Sequence, residues 1–254
     1  MYFWGAWHDR PLFWVCSRSS YGTLFRPRRL PSVSQFCRRV KSARVEAIVR
    51  LVKDRLARSD EPAELAFIDG KALPVTENSR DPEARTGRDN GRFGRGYKLH
   101  AIVAEGGRVL RHKVTPMNAG EPSTAVDLLD ALGPCTLLIG DGGYDSGRLY
   151  RAVEERGGQL LTPLRGMPAL PRNYGNITPA RRCIVALWRK DPALCRWLYA
   201  KRGGVERAFS ALSTFGGGLM HLPPWVRRFQ RVDRWVAAKL AIYHARLVLR
   251  KAAA

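Results

Sequence analysis

The order of secondary-structure signals along the chain predicts an α/β fold. It comprises one mixed five-stranded sheet flanked by helices on both faces, preceded by a basic, mainly helical N-terminal arm over residues 1–60. Three observations carry this. Two apolar runs, Leu65 to Ile68 and Thr136 to Ile139, lead into the aspartates Asp69 and Asp141. Residues 97–114 alternate around Gly106-Gly107 as a hairpin does, and helical spacing of apolar residues fills the intervals before and after the second apolar run.

The arm begins with Tyr2, Phe3, Trp4, Trp7, Phe13 and Trp14 and passes through Phe25-Arg26-Pro27-Arg28-Arg29-Leu30-Pro31. Ser32 or Ser34 is placed to cap one helix running through Phe36, Val40 and Val45 towards Leu56, with Arg38, Arg39, Lys41, Arg44 and Arg50 on its other faces. Such an arm either contacts DNA or packs with its cations solvated. From residue 61 to 250 the pattern is that of a second, larger domain. Leu65 to Gly70 predicts a short buried strand ending in an Asp-Gly turn. Residues 76–96, with Arg80, Arg85, Arg88, Arg92 and Arg95 among glycines, predict a loop that stays mobile until it meets a ligand.

Tyr97 to Val103 and Val109 to Val114 are the two strands of the hairpin. Glu121-Pro122-Ser123 starts a helix whose inner side is Ala125, Leu128, Leu129 and Leu132, ended by Gly133-Pro134. Thr136 to Asp141, the helix Ser146 to Arg156, and Gln159 to Leu164 complete the sheet. A loop rich in Pro, Gly and Asn is expected over residues 166–180. Helices are expected over Arg181 to Lys190 and Ala193 to Thr214, then a break at Gly216-Gly217-Gly218 and Pro223-Pro224. Arg231 to Lys251 is a final amphipathic helix closing the core.

At 254 residues and 45% hydrophobic content the chain can bury a substantial core. Lysine and arginine total 44 against 22 aspartate and glutamate, a net charge of +22, which points to a polyanion and most simply to nucleic acid. No long basic amphipathic helix stands apart from the core to serve a membrane surface, and no run reaches transmembrane length. The apolar opening lacks the basic lead and cleavage site of a signal peptide, so a cytoplasmic location is expected. Cys16, Cys37, Cys135, Cys183 and Cys195 are odd in number and contain no Cys-x-x-Cys pair, which predicts reduced core thiols; the five histidines supply no zinc spacing.

If the two aspartate-terminated strands are parallel neighbours, Asp69 and Asp141 meet at one end of the sheet, where open α/β sheets bind ligands. Glu206, on a helix crossing nearby, would make a third carboxylate, and three carboxylates held close bind protons or share divalent metal. Were residues 199–209 helical throughout, Tyr199, Arg202 and Glu206 would share one face, suited to a base, a phosphate and a metal, or else simply solvated. Gly203 and Gly204 point to a bend, a late helix start or a close approach in that stretch. Lys98 and His100 share a strand face that either looks toward substrate or holds a satisfied histidine. Tyr144 and Asp145 either shape the site or, for Asp145 or Ser146, cap the next helix.

Ile68-Asp69-Gly70, Gly96 to His100, Pro116 to Glu121, Asp141 to Ser146 and the Tyr199, Arg202, Glu206 pattern, in this order, resemble the catalytic domain of DDE transposases of bacterial insertion sequences. They are most similar to the branch with the Tyr-Arg-Glu-Lys signature. The resemblance covers roughly residues 61–250 and implies a ribonuclease H-like fold with the first and fourth strands adjacent. It implies Asp69, Asp141 and Glu206 as the catalytic, metal-binding triad and Tyr199 and Arg202 as contacts to the DNA end. Lys98, Arg92, Arg95 and Arg207 are further candidate DNA contacts.

The implied cofactor is Mg²⁺, replaceable by Mn²⁺, as two ions about 3.5 to 4 Å apart that activate the attacking oxygen and stabilise the leaving one. The implied partners are double-stranded DNA, both transposon ends and target, and further copies of the chain on that DNA; no membrane partner is expected, and the location is cytoplasmic with the nucleoid. The signature lysine falls at Ser213, so Arg207 or another neighbour would have to supply its phosphate contact. The alternatives are a ribonuclease H-like nuclease that only cuts and a non-catalytic DNA-binding remnant.

Overall fold

A computed structural model of the chain describes residues 1–23, 27–58, 61–89, 91–130, 132, 135–164, 178–214, 218–219 and 221–253. Its centre is a six-stranded mixed sheet. The strands are β1 (Ala63–Pro74), β2 (Arg85–Asp89), β3 (Arg92–Ala104), β4 (Val109–Pro116), β5 (Cys135–Gly140) and β6 (Gln159–Leu161). β1 lies between β3, which it pairs antiparallel, and β5, which it pairs parallel; β6 extends the parallel side. β4 and β2 pair antiparallel with successive stretches of β3. The β3–β4 turn places Gly106 and Gly107 both at φ +87°, a conformation open to glycine.

Two expectations for the sheet need correction. β1 does not end in an Asp-Gly turn. Its pairing with β5 stops at Ile68↔Gly140, but its pairing with β3 continues through Gly70↔His100 to Pro74↔Gly96, so a second neighbour carries the backbone onward. Nor is the arginine-rich segment 76–96 a free loop. Residues 85–89 form the sixth strand on β3, and the stretch before it is pinned from within. The Arg95 guanidinium donates to the carbonyls of Ser79 (2.8 Å), Ala84 (3.4 Å) and Asp81. Buried Asp81 accepts from the Tyr97 hydroxyl (2.9 Å) and from the Arg228 N–H (2.8 Å). These polar groups satisfy one another, which a count of charge and glycine does not reveal.

The helices are α1 (Tyr2–Trp7), α2 (Leu12–Val15), α3 (Val33–Val40), α4 (Ala43–Ala57), α5 (Glu121–Leu129), α6 (Gly147–Glu154), α7 (Pro179–Lys190), α8 (Pro192–Ala200), α9 (Gly203–Thr214) and α10 (Phe229–Ala252). The single arm helix expected from Ser32 to Leu56 is two. Ser32 caps α3 with a full capping box, and Ser42 caps α4 after a break at Lys41, because each serine offers its oxygen to a backbone N–H three residues on. The helix expected from Ala193 to Thr214 likewise divides at Lys201-Arg202. The predicted ends at Gly133-Pro134 and Gly216-Gly217, and the loop over 166–180 except its last three residues, lie outside the described residues.

The final helix forms where expected, but it is not one-faced along its length: every residue from Ala238 to His244 is buried. The arm packs on it: Ala6 meets Ala238 and Ile242, Asp9 pairs with buried Lys239 at 2.7 Å, and Glu46 pairs with Arg234 at 2.9 Å. All five cysteines are free, but only Cys195 is buried and Cys183 is exposed, so the expectation of core thiols holds for one of them.

Candidate active site

The parallel register of β1 and β5 decides the geometry. Ile68 lies opposite Gly140, so the next residues, Asp69 and Asp141, stand side by side where β5 stops. Neighbouring strands are about 4.8 Å apart, which brings the two carboxylates to one edge. Asp69 Oδ1 accepts from the Gly70 N–H at 2.8 Å, and Asp141 Oδ1 accepts from the Gly143 N–H at 2.7 Å.

Glu206 arrives from the other side through Arg202. That arginine lies in the turn between α8 and α9 and donates from one terminal nitrogen to Asp69 Oδ2 at 2.9 Å and from the other to Glu206 Oε1 at 3.0 Å. Tyr199, Arg202 and Glu206 therefore do not share one face of a continuous helix, as the spacing would have it. The chain turns at Lys201-Arg202, α9 starts at Gly203, and Gly204 rests against the Phe67 ring, 3.0 Å from where a Cβ would be. The turn aims the guanidinium at β1 instead of along the helix. The Arg202 Nε is buried and has no partner among the described residues. Glu206 is the most open of the three acids, its side chain 65% exposed.

Burial pushes the Asp69 carboxyl up to about 6 against the pull of Arg202 and the Gly70 N–H, and the charges of Asp141 and Glu121 add to the rise. Burial also raises the Tyr199 hydroxyl; Arg202 opposes this, while Asp141, Asp69 and Glu206 reinforce it. One electrostatic neighbourhood thus holds Asp69, Asp141, Glu206, Tyr199 and Arg202. Two further members join it, Glu121, for which the sequence offered no role at the site, and Tyr144. Glu121, the first residue of α5, pairs with Lys98 at 3.0 Å, and its charge acts on Asp69 and Tyr144. Its signal was its place in the Pro116 to Glu121 block. Tyr144 is fully buried with a hydroxyl that has no partner among the described residues.

Other candidates lie elsewhere. His100 is fully buried; its Nε2 is 2.9 Å from Thr115 Oγ1 while its Nδ1 has no partner among the described residues, and burial, with Lys98 and Lys113, lowers it to about 4, so it is a neutral core histidine only half satisfied. Asp145 receives both a terminal and the Nε donor of Arg181 at 2.8 Å, and Ser146 precedes α6 without a side-chain cap, so neither caps that helix through its side chain. Arg92 is exposed at the outer end of β3, nine residues and roughly 30 Å along the strand from Ala101, the partner of Asp69. Arg95 spends its guanidinium on the carbonyls already named. Arg207 is exposed on α9 beside Glu206. Ser213 donates to the Phe209 carbonyl at 2.8 Å, within its own helix.

Carboxylate oxygens at a strand end suit a hard divalent cation. Among the described residues, no three His, Cys, Asp or Glu side chains are already arranged around one point as an ion requires. Arg202 stands between Asp69 and Glu206 as the counter-charge. The site fits such an ion in donor chemistry and location, provided that Arg202 turns aside.

Residues 60–243 match the family model described as "Transposase DDE domain". Over 87 residues the chain is 32% identical to the "Transposase for insertion sequence element IS1106" of Neisseria meningitidis serogroup B, a match covering 34% of this chain and 30% of that protein. The chain thus aligns with less than a third of the length of that curated relative. Among solved structures, the catalytic core domain of BIV integrase matches at 16% identity with a TM-score of 0.27, covering 64% of this chain and 91% of that one.

Proposed function

Because this chain belongs to the transposase DDE domain family, we propose that it is a DNA transposase of an insertion sequence, cutting DNA strands and joining them to a target with divalent metal, Mg²⁺ or Mn²⁺. The observation that carries this reading is the meeting of Asp69 and Asp141 at the ends of adjacent parallel strands, with Glu206 joined to Asp69 through Arg202. The strand order β4-β3-β1-β5-β6, three antiparallel strands followed by two parallel ones, supports a ribonuclease H-like core within residues 61–250. Residues 1–60 are then a DNA-contacting arm seated on α10.

Asp69, Asp141 and Glu206 would hold the ions, which when bound activate the attacking oxygen and stabilise the leaving one. Arg202, with a buried Nε lacking a partner among the described residues, is suited to grip a phosphate of the DNA end as it leaves Asp69. Tyr199 offers a ring for a base beside it. Lys98 neutralises charge at the carboxylate edge. Arg92, Arg95 and Arg207 contribute to the field that draws in the duplex, Arg207 nearest the acids. A synaptic complex of several copies on DNA, in the cytoplasm with the nucleoid, completes the reading. Among the described residues no helix is long and apolar enough to cross a membrane.

Replacing Asp69, Asp141 or Glu206 with Ala should abolish strand transfer while DNA retention stays nearly intact; joining at the wild-type rate by any one variant refutes the assignment. Ser213 favours a second reading, an enzyme that cuts without joining, since its hydroxyl is bound within the helix and carries no charge for a phosphate. Joined products from a pre-cut 3′-hydroxyl end rule that out.

A further inference from the structure

Glu121 does more than open a helix. Its Oε1 is held by Lys98 at 3.0 Å, and its Oε2 leans over Gly143. A Cβ built on Gly143 would lie 2.5 Å from Glu121 Oε2 and 2.8 Å from Asp141 Oδ1, so two carboxylates from different elements converge on a point that only glycine leaves free. Gly70, the neighbour of Asp69, admits Glu121 Oε1 and the Lys98 stem in the same way, at 3.5 and 3.1 Å from its own absent Cβ.

A second observation is independent of the acids. The Tyr144 hydroxyl is completely buried, lacks a partner among the described residues, and lies in the combined field of Glu121, Asp69 and Asp141, which add to burial in raising it. A buried donor among anions with no bond of its own is an unmet demand for an oxygen ligand. A favourable charge at the N-terminus of α5 would account for Glu121 alone, but not for the glycine cradle or for this hydroxyl.

We propose that Glu121 is a fourth carboxylate of the metal site, turning with Asp69 and Asp141 towards one ion as its inner part, with Lys98 as the counter-cation that a divalent ion replaces. This rests on the metal-dependent reading given above. Glu206, exposed and tied to Arg202, then closes the set from α9 once DNA draws the arginine away.

The test is Mn²⁺ binding to the full chain without DNA, followed by the electron paramagnetic resonance of the free ion. Glu121→Gln should weaken affinity at least tenfold, as Asp141→Asn does, whereas Glu206→Gln changes it less than threefold. Lys98→Met should tighten it at least threefold, because a competing cation is gone; loss of a merely structural ion pair would leave it unchanged. If Glu121→Gln does not fold, as read by circular dichroism, Lys98→Met decides, and unchanged or weaker binding overturns the proposal. Wild-type affinity in folded Glu121→Gln, with binding lost in Asp69→Asn and Asp141→Asn, overturns the role of Glu121 and leaves the transposase reading standing. No Mn²⁺ binding by the unaltered chain overturns the inner site and leaves the transposase reading, in which DNA first removes Arg202, standing; wild-type affinity in all three overturns both.

Discussion

Arg202 holds two acids with one guanidinium, and both the side chain and its partner Asp69 are only 17% exposed. Removing it leaves Asp69 largely enclosed and without its counter-charge. Arg202→Ala should therefore destabilise the chain by about 2 kcal/mol, below the range for fully buried pairs because water reaches this one, as read from urea unfolding at pH 7. Arg202→Lys should recover less than half, since a point charge cannot span Asp69 and Glu206 as a planar fork does. An unchanged midpoint in Arg202→Ala would show that these ion pairs do not hold the site together.

The buried histidines give a pH dependence. Burial, then nearby cations, lower His100 to about 4 and His244 to about 3 from an ordinary value near 6.5, so the unfolded chain binds protons that the fold refuses. Their contribution is complete above pH 6.5 and is lost as pH falls, by about 3 kcal/mol for each at pH 4. Asp69, raised to about 6, works in the opposite sense: its stabilisation is present at low pH and is lost as pH rises through 6, returning about 2 kcal/mol on acidification. A net decline in stability from pH 7 to pH 4, shallower in His100→Gln, is the expected result; a flat profile would contradict the burial of both rings as neutral groups.

Among the strands and helices, short polar anchors decide what composition left open. The segment before β2 looks unstructured in sequence because it is arginine-rich and glycine-rich, yet Asp81 binds it both to Tyr97 of β3 and to Arg228, the residue preceding α10. Burial alone would raise the Asp81 carboxyl, but the N–H groups of Arg228 and Glu83 and the Tyr97 hydroxyl together hold it below the usual carboxylate range. Arg228 itself sits at φ +67°, a position unfavourable to a side chain that this bond helps to maintain. Asp81→Ala leaves a buried hydroxyl and two N–H groups without their acceptor and should cost about 3 kcal/mol in chemical denaturation. It should also speed hydrogen exchange in the 76–89 segment ahead of the rest of the sheet, whereas uniform exchange would show that the anchor is not local.

Over the full chain the charge of +22 is far too large to be balanced internally, and the ion pairs of the fold use only part of it. DNA affinity should fall with salt at a log–log slope of about −0.9 per phosphate neutralised. Charge reversal in the arm (Arg38, Arg39) and in β2 and the start of β3 (Arg88, Arg92) should each flatten that slope, measured by fluorescence anisotropy on a duplex. A slope that ignores both regions would place the contacts elsewhere. The arm also packs against the larger region. Its apolar residues cover α10, so one segment both stabilises the fold and presents cations outward.

Local pattern was enough for the elements whose burial repeats within a short stretch: the apolar strands carrying Asp69 and Asp141, the glycine hairpin between Val103 and Val109, the final helix, and the blocks that mark the family. Period and turn chemistry act over a few residues, so a few residues suffice to read them. Packing alone set the remainder: β1 outruns β5, Arg202 turns toward the sheet, Arg95 and Asp81 tie down a segment expected to be loose, and Glu121 joins the acids. Each of these depends on groups distant in the chain satisfying one another's charge and hydrogen bonds. That matching is made in space between separate elements, which no short run of residues encodes.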